Sequence, residues 1–172
     1  MISNIEDVIM FASVAHKNQK MYDPDVPYLT HVFGVSSNVL EAYYNGEEEF
    51  DLNYALKVSI LHDTIEDTSV TYDDICLKYG KDIADGVLAL SKDEHVNKQE
   101  QMMDCIRRIK ECKKEVAIVK LADRTFNMRS RPSGWSKEHC EKYLREAILI
   151  KNELGMYSHY LDNKLELRIK EY

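Results

Sequence analysis

The chain has 172 residues, 44% of them hydrophobic and 31% charged, with a formal net charge of -7. This profile suits one soluble globular domain, residues 1–172, with a sizeable core; it excludes a disordered chain, and the acidic balance argues against a nucleic-acid polymer as partner. No apolar run approaches the ~20 residues needed to cross a bilayer, so no membrane partner is expected.

Helix signals dominate the chain from its start. Asn4 is placed to cap a first helix over roughly residues 5–20, with Ile5, Val8, Ile9, Ala12 and Ala15 at helical spacing. The stretch Tyr22-Asp23-Pro24-Asp25-Val26-Pro27 breaks it into a loop. A second helix is expected from about Tyr28 to Tyr44, ended by Asn45-Gly46. Asp51 caps a third, expected to run unbroken to about Asp67. Thr71, with Asp74 three residues on, forms an acidic variant of the capping box for a short fourth helix that Gly80 stops. Another short helix reaches about Ser91, and further helices are expected near 97–112, 114–129, 137–155 and 158–171. Val116-Ala117-Ile118-Val119 has strand-like composition but no alternating partner, so helix is favoured. One all-α domain is the simplest account. The N-terminal segment from Met1 to Asp7 lacks the positive start of a secretory signal. Cys76, Cys105, Cys112 and Cys140 show no Cys-x-x-Cys spacing and read as reduced thiols in a cytoplasmic protein.

Two segments carry titratable groups where a core is expected. In the third helix, His62, Asp63, Glu66 and Asp67 fall within an arc of roughly 140° at about 100° per residue, opposite Val58, Leu61 and Ile65. A solvated acidic face is the bland alternative. Buried carboxylates are costly unless paired or bound to metal, and His62-Asp63 can reach one ion from a single turn. In the segment near 114–129, Asp123 and Asn127 share a face four residues apart, and a salt bridge from Asp123 to Arg124 or Arg129 is the alternative to metal binding. His31, at the start of the second helix, supplies a second imidazole. Two imidazoles and two carboxylates suit Mn²⁺, Fe²⁺ or Zn²⁺ better than Ca²⁺, and the set implies hydrolysis by metal-activated water.

The ordered set His31, His62-Asp63, Asp123 resembles the HD-domain metal-dependent phosphohydrolases, whose fold is a helical bundle. Within them, Ala15-His16-Lys17-Asn18-Gln19, Pro27-Tyr28-Leu29-Thr30-His31, Leu61-His62-Asp63-Thr64-Ile65-Glu66-Asp67-Thr68 and Lys120-Leu121-Ala122-Asp123-Arg124-Thr125-Phe126-Asn127-Met128 are similar to the hydrolase domain of RelA/SpoT alarmone enzymes. Gly134-Trp135-Ser136 followed by Tyr143 is similar to the small stand-alone hydrolases, the metazoan SpoT homologues among them. The resemblance covers nearly the whole chain. It implies one Mn²⁺ held by His31, His62, Asp63 and Asp123. It further implies that Glu66 and Asp67 handle the water and proton transfers, that Asn127 contacts the nucleoside, and that Tyr143 and Lys92 lie near the phosphates. The implied reaction removes the 3′-pyrophosphate of guanosine 3′,5′-bis(diphosphate) (ppGpp), giving GDP and pyrophosphate, or GTP from pppGpp.

The chain departs from that pattern where the family usually carries Arg and Lys: Met21 and Tyr22 stand there, with Lys17 and Lys20 close by. Tyr22 can stack on a base, and Lys20 is a candidate phosphate contact. His139 stands where the small hydrolases often have Arg, and Lys92, Lys98, Arg129, Arg131 and Lys137 are candidates to compensate. Trp135 lines the pocket rim or anchors its loop. The same chemistry on an adenosine alarmone, NADPH or another 3′-phosphorylated nucleotide stays open, as does a nucleotide-sensing module that does not cleave. The partner expected is a small phosphorylated nucleotide; a homo-oligomer is left open.

Overall fold

Side-chain caps start five of the helices. The computed structural model describes residues 4–172; Met1–Ser3, part of the stretch read for a secretory start, lie outside the described residues. Helix α1 (Ile5–Ala15) begins where Asn4 accepts the Glu6 N–H at 3.2 Å. Helix α2 (Leu29–Asn45) has no side-chain cap. Asp51 accepts the Tyr54 N–H at 3.0 Å and opens α3 (Leu52–Leu61). The short α4 (Thr64–Asp67) follows at once. Thr71 and Asp74 form the full capping box of α5 (Tyr72–Tyr79), and α6 is Lys81–Leu90. Then come α7 (Gln101–Lys110), α8 (Lys114–Asn127), α9 (Lys137–Leu154) with a Ser136 cap, and α10 (His159–Glu171) with a Ser158 cap. A single 3-10 turn, Gly155–Tyr157, joins the last two. Among the described residues there is no strand, and the one extended pairing is an isolated bridge between Lys20 and Pro27.

Helix α8 forms the axis of the molecule. Every residue from Glu115 to Thr125 is buried, and α2, α3, α6, α7, α9 and α10 all pack on it. Val116-Ala117-Ile118-Val119 is thus helical: the apolar run reflects burial on all sides, not a strand period. One hydrophobic cluster threads the bundle, with Val8, Leu61, Ile118, Leu121, Ile150, Leu154 and Leu161 fully buried. Each such side chain contributes roughly 1.5–3 kcal/mol by leaving water.

Three predicted helices are shorter than the periodicity suggests, and the one expected near 97–112 is only Gln101–Lys110. The first stops at Ala15 instead of near residue 20, because residues 16–28 form a loop with its own backbone bonds. Gln19 N–H donates to His16 O at 2.9 Å, Met21 N–H to Val26 O at 2.9 Å and Tyr28 N–H to Gln19 O at 3.1 Å. The third breaks at His62-Asp63, where Asp63 leaves helical geometry at φ -100°, ψ 0°. The expected single face holding His62, Asp63, Glu66 and Asp67 is therefore two short pieces, α3 and α4, that meet at the histidine-aspartate pair.

Candidate active site and metal centre

The break after Leu61 turns Asp63 back towards two imidazoles. His62 Nε2 lies 2.8 Å from Asp63 Oδ2, and His31 Nε2 lies 3.2 Å from the same oxygen. The two Nε2 atoms are 3.0 Å apart. From α8, Asp123 Oδ1 comes within 3.6 Å of His31 Nε2 and 4.0 Å of His62 Nε2. Ligand atoms of His31, His62 and Asp63 all lie within 4.8 Å of one another.

Electrostatics show what this cluster lacks. His62 Nδ1 sits 2.7 Å from Ser59 O, so this nitrogen donates to the carbonyl and a neutral ring keeps its Nε2 lone pair facing the cluster. Burial alone would lower the His62 pKa, but the Asp63 and Asp123 carboxylates outweigh it and push it up to about 9. Burial alone would raise the Asp63 pKa, and the His62 and His31 imidazoles hold it well below the usual carboxylate range instead. Burial also works against ionised Asp123, yet Lys120 and then the imidazoles keep its pKa low. His31, His62 and Asp63 thus turn ligand atoms towards one another at close range, and Asp123 approaches from the imidazole side. The contacts of 2.8–3.2 Å among His31, His62 and Asp63 match ligand atoms that each sit roughly 2.0–2.2 Å from a shared ion, while Asp123 Oδ1 stands 3.6–4.0 Å from the imidazoles. The donor set fits a divalent cation. Among the described residues His31 Nδ1 has no hydrogen-bond partner, whereas the His62 tautomer is set by its bond to Ser59 O.

Supporting contacts hold the carboxylates. The Tyr28 hydroxyl donates to Asp63 Oδ2 at 2.5 Å. Burial first, then Asp63, raise the Tyr28 pKa, so this phenol stays a donor. The Asn127 amide donates to Asp123 Oδ1 at 2.6 Å, and Lys120 Nζ lies 3.3 Å from Asp123 Oδ2. Lys120, not Arg124 or Arg129, is therefore the cation beside Asp123. Sequence reasoning passed over Lys120 and Tyr28. The Lys-x-x-Asp spacing on α8 was a usable signal for Lys120; nothing local marked Tyr28. Arg124 lies instead with its guanidinium 4.0 Å from the Tyr143 ring centroid.

A cavity of about 990 Å³ opens above this cluster. His31, Asp63 and Asp123 line its floor, with His62 buried behind them. Glu66, Asp67, Asn127, Tyr143, Lys92, Tyr22 and Lys20 all line the same cavity. Glu66 accepts the Lys92 backbone N–H at 2.8 Å, and Lys92 Nζ lies 3.5 Å from its other oxygen. Asp67 accepts from the Gln19 amide at 2.9 Å. Arg129 and Arg131 join the wall, whereas Lys98 and Lys137 are exposed outside it. Trp135 does both things considered for it. It lines the cavity and packs against Tyr22 (5.5 Å between centroids), Tyr143 (5.0 Å) and His139 (4.1 Å). Burial pushes the Tyr143 phenol up to about 12.

Comparison with known proteins puts this arrangement in context. No protein-family model matches the chain. It is 30% identical over 161 residues to the guanosine-3′,5′-bis(diphosphate) 3′-pyrophosphohydrolase MESH1 of Xenopus tropicalis, across 91% of this chain and 87% of that protein. It is also 30% identical over 173 residues to the bifunctional (p)ppGpp synthase/hydrolase SpoT of Escherichia coli K12, across 96% of this chain but 23% of SpoT. Among solved structures, a metazoan orthologue of SpoT that hydrolyses ppGpp superposes with a TM-score of 0.82 at 26% identity, over 97% of this chain and 94% of that one.

Proposed function

Because the chain belongs to the guanosine-3′,5′-bis(diphosphate) 3′-pyrophosphohydrolase family, we propose that it cleaves ppGpp or pppGpp at the 3′-oxygen, releasing pyrophosphate and GDP or GTP. The observation that carries this reading is the meeting of His31, Asp63 and Asp123, with His62 behind them, at the floor of a cavity lined by both carboxylates and cations.

His31, His62, Asp63 and Asp123 would hold the metal, for which we propose one Mn²⁺. When bound, a divalent ion polarises a phosphate oxygen and acidifies water. The remaining work falls to the protein. Glu66 and Asp67 stand on the cavity wall beside the cluster, where one takes the proton of the attacking water and the other returns a proton to the leaving ribose O3′. Such acid–base help is typically worth ~10²–10⁴-fold. Lys20, Lys92, Arg129 and Arg131 offer charge to the phosphates, with Lys92 anchored through Glu66. Tyr143 and Asn127 line the nucleotide side, and Tyr22 with Trp135 forms an aromatic mouth. Among the described residues no helix is long and apolar enough to cross a membrane. Four free cysteines support a cytoplasmic setting.

One observation favours a second reading. Met21 and Tyr22, both in the cavity wall, offer no cation to the base. Stacking on Tyr22 is tolerant of base identity, because every base has a π-face. An adenosine alarmone is then an alternative substrate for the same chemistry, and NADPH, by loss of its 2′-phosphate, for the related monoester hydrolysis.

Incubating the manganese-loaded protein with ppGpp, its adenine counterpart and NADPH separates these readings. The leading reading predicts GDP and pyrophosphate in equal amounts, fastest from ppGpp. It also predicts that Glu66→Gln lowers turnover by ~10²–10⁴-fold while nucleotide binding persists. Equal or faster cleavage of the adenine substrates would move the assignment to the second reading. Inertness towards all three would reject hydrolysis.

A further inference from the structure

The loop between α1 and α2 sends two side chains to the active-site carboxylates. Tyr28 reaches Asp63, as described above. Nine residues earlier, Gln19 Nε2 donates to Asp67 Oδ2 at 2.9 Å. The other end of the same amide, Oε1, lies 2.7 Å from His16 Nδ1. The backbone closes the loop between them, with Tyr28 N–H donating to Gln19 O at 3.1 Å.

The direction of this chain of bonds follows from what each group can do. The Asp67 carboxylate only accepts, so the Gln19 NH₂ must face it. The Gln19 carbonyl oxygen then faces His16 and only accepts, so His16 Nδ1 must carry the hydrogen. Were the amide turned round, an oxygen would face a carboxylate. His16 is fixed by burial and packing. It is 2% exposed, and its ring lies 5.0 Å from that of Tyr28. Among the described residues, Gln19 is the only side chain the ring bonds.

Asp67 needs such a brace. It is the last residue of the four-residue α4 and is exposed. We propose that Gln19 is a positioning residue for Asp67: its amide, oriented by His16, holds the carboxylate in one direction on the cavity wall. The role rests on the proposed function, in which Asp67 moves a proton. Gln19 acts through Asp67 and touches no substrate.

The test compares Gln19→Leu, His16→Leu and His16→Asn with the unmodified enzyme in the manganese-loaded state. Asn places its amide NH₂ near where His16 Nδ1 lies, so His16→Asn keeps the donor while His16→Leu removes it. For ppGpp, Gln19→Leu and His16→Leu should lower kcat by about 10–100-fold with KM changed by less than about 2-fold, the scale of a misplaced catalytic group. Metal content and Tm should stay close to those of the unmodified enzyme, and His16→Asn should recover most of the rate. Unchanged kcat in Gln19→Leu, or a loss matched by loss of bound manganese, overturns the proposal. Crystal structures of the unmodified protein and Gln19→Leu provide an arm that needs no activity. The Asp67 carboxylate should take a different rotamer, or several, in the variant. An Asp67 that keeps its position without the amide overturns the positioning role, even if ppGpp proves not to be the substrate.

Discussion

At Gly34, in the middle of α2, an added methyl group would land 1.9 Å from the Phe126 ring of α8. The glycine is there for space, since it lets α2 and α8 approach closely enough for Phe126 to lie 5.5 Å from the His31 ring. Gly34→Ala should therefore lower stability by about 1–3 kcal/mol, the usual cost of overpacking. The added Phe126→Leu change should return part of that loss, because the two sites share one volume. Urea denaturation of the single and double variants checks this; strictly additive effects would contradict it. The cluster residues were legible because a histidine or carboxylate inside an apolar helical run is a local contradiction that any reader of the chain can see. Gly34 was not legible, because what it makes room for is ninety-two residues away. Gln19 was visible as part of a motif, but the partners of its amide appear only in three dimensions.

Between elements, the contact of α2 with α10 rests on a polar set. Lys164 donates to Asn38 Oδ1 at 2.9 Å and to Glu41, and the Tyr160 hydroxyl donates to Glu41 at 3.0 Å. Asn38 in turn donates to Ala122 O, beside Asp123, at 3.0 Å. Lys164 bonding lowers the Glu41 pKa below its ordinary 4.5, against the effect of burial and with help from Tyr160. A carboxylate with a depressed folded pKa gives stability that is present above its unfolded pKa and is lost as pH falls through the folded one. Glu41→Gln should thus lower Tm near pH 7, and the gap to the unmodified protein should shrink as pH falls below about 4.5. The Glu41 side chain is 41% exposed, so the effect at neutral pH is about 1 kcal/mol or less. A Tm gap independent of pH would contradict the linkage. Helix starts were the most legible feature at this scale, because Asn4, Asp51 and Thr71 cap through bonds to residues two or three positions on; the Ser136 and Ser158 caps work the same way but were not read from the sequence. Helix ends were less so. The α1 pattern continues past Ala15 and the α3 pattern past Leu61, but loop hydrogen bonds end the first and the pull of the imidazoles on Asp63 ends the second. Both overrides come from tertiary structure, which periodicity does not contain.

Across the whole molecule, the bundle brings to one point side chains from the start of α2, the break between α3 and α4, and the last turns of α8. The all-helical architecture followed from composition and period, while the depth of α8 at its centre followed only from an apolar run that had two readings. The resemblance to alarmone hydrolases agrees with relatives and a solved structure that span nearly the whole chain. The central claim is that His31, His62, Asp63 and Asp123 hold a single divalent cation. Anomalous diffraction at the manganese edge, from crystals of the metal-loaded protein, measures this directly. The account predicts one peak, within about 2.0–2.3 Å of His31 Nε2, His62 Nε2 and a carboxylate oxygen from each of Asp63 and Asp123. No peak there, or a peak that leaves Asp123 out of contact, would contradict it.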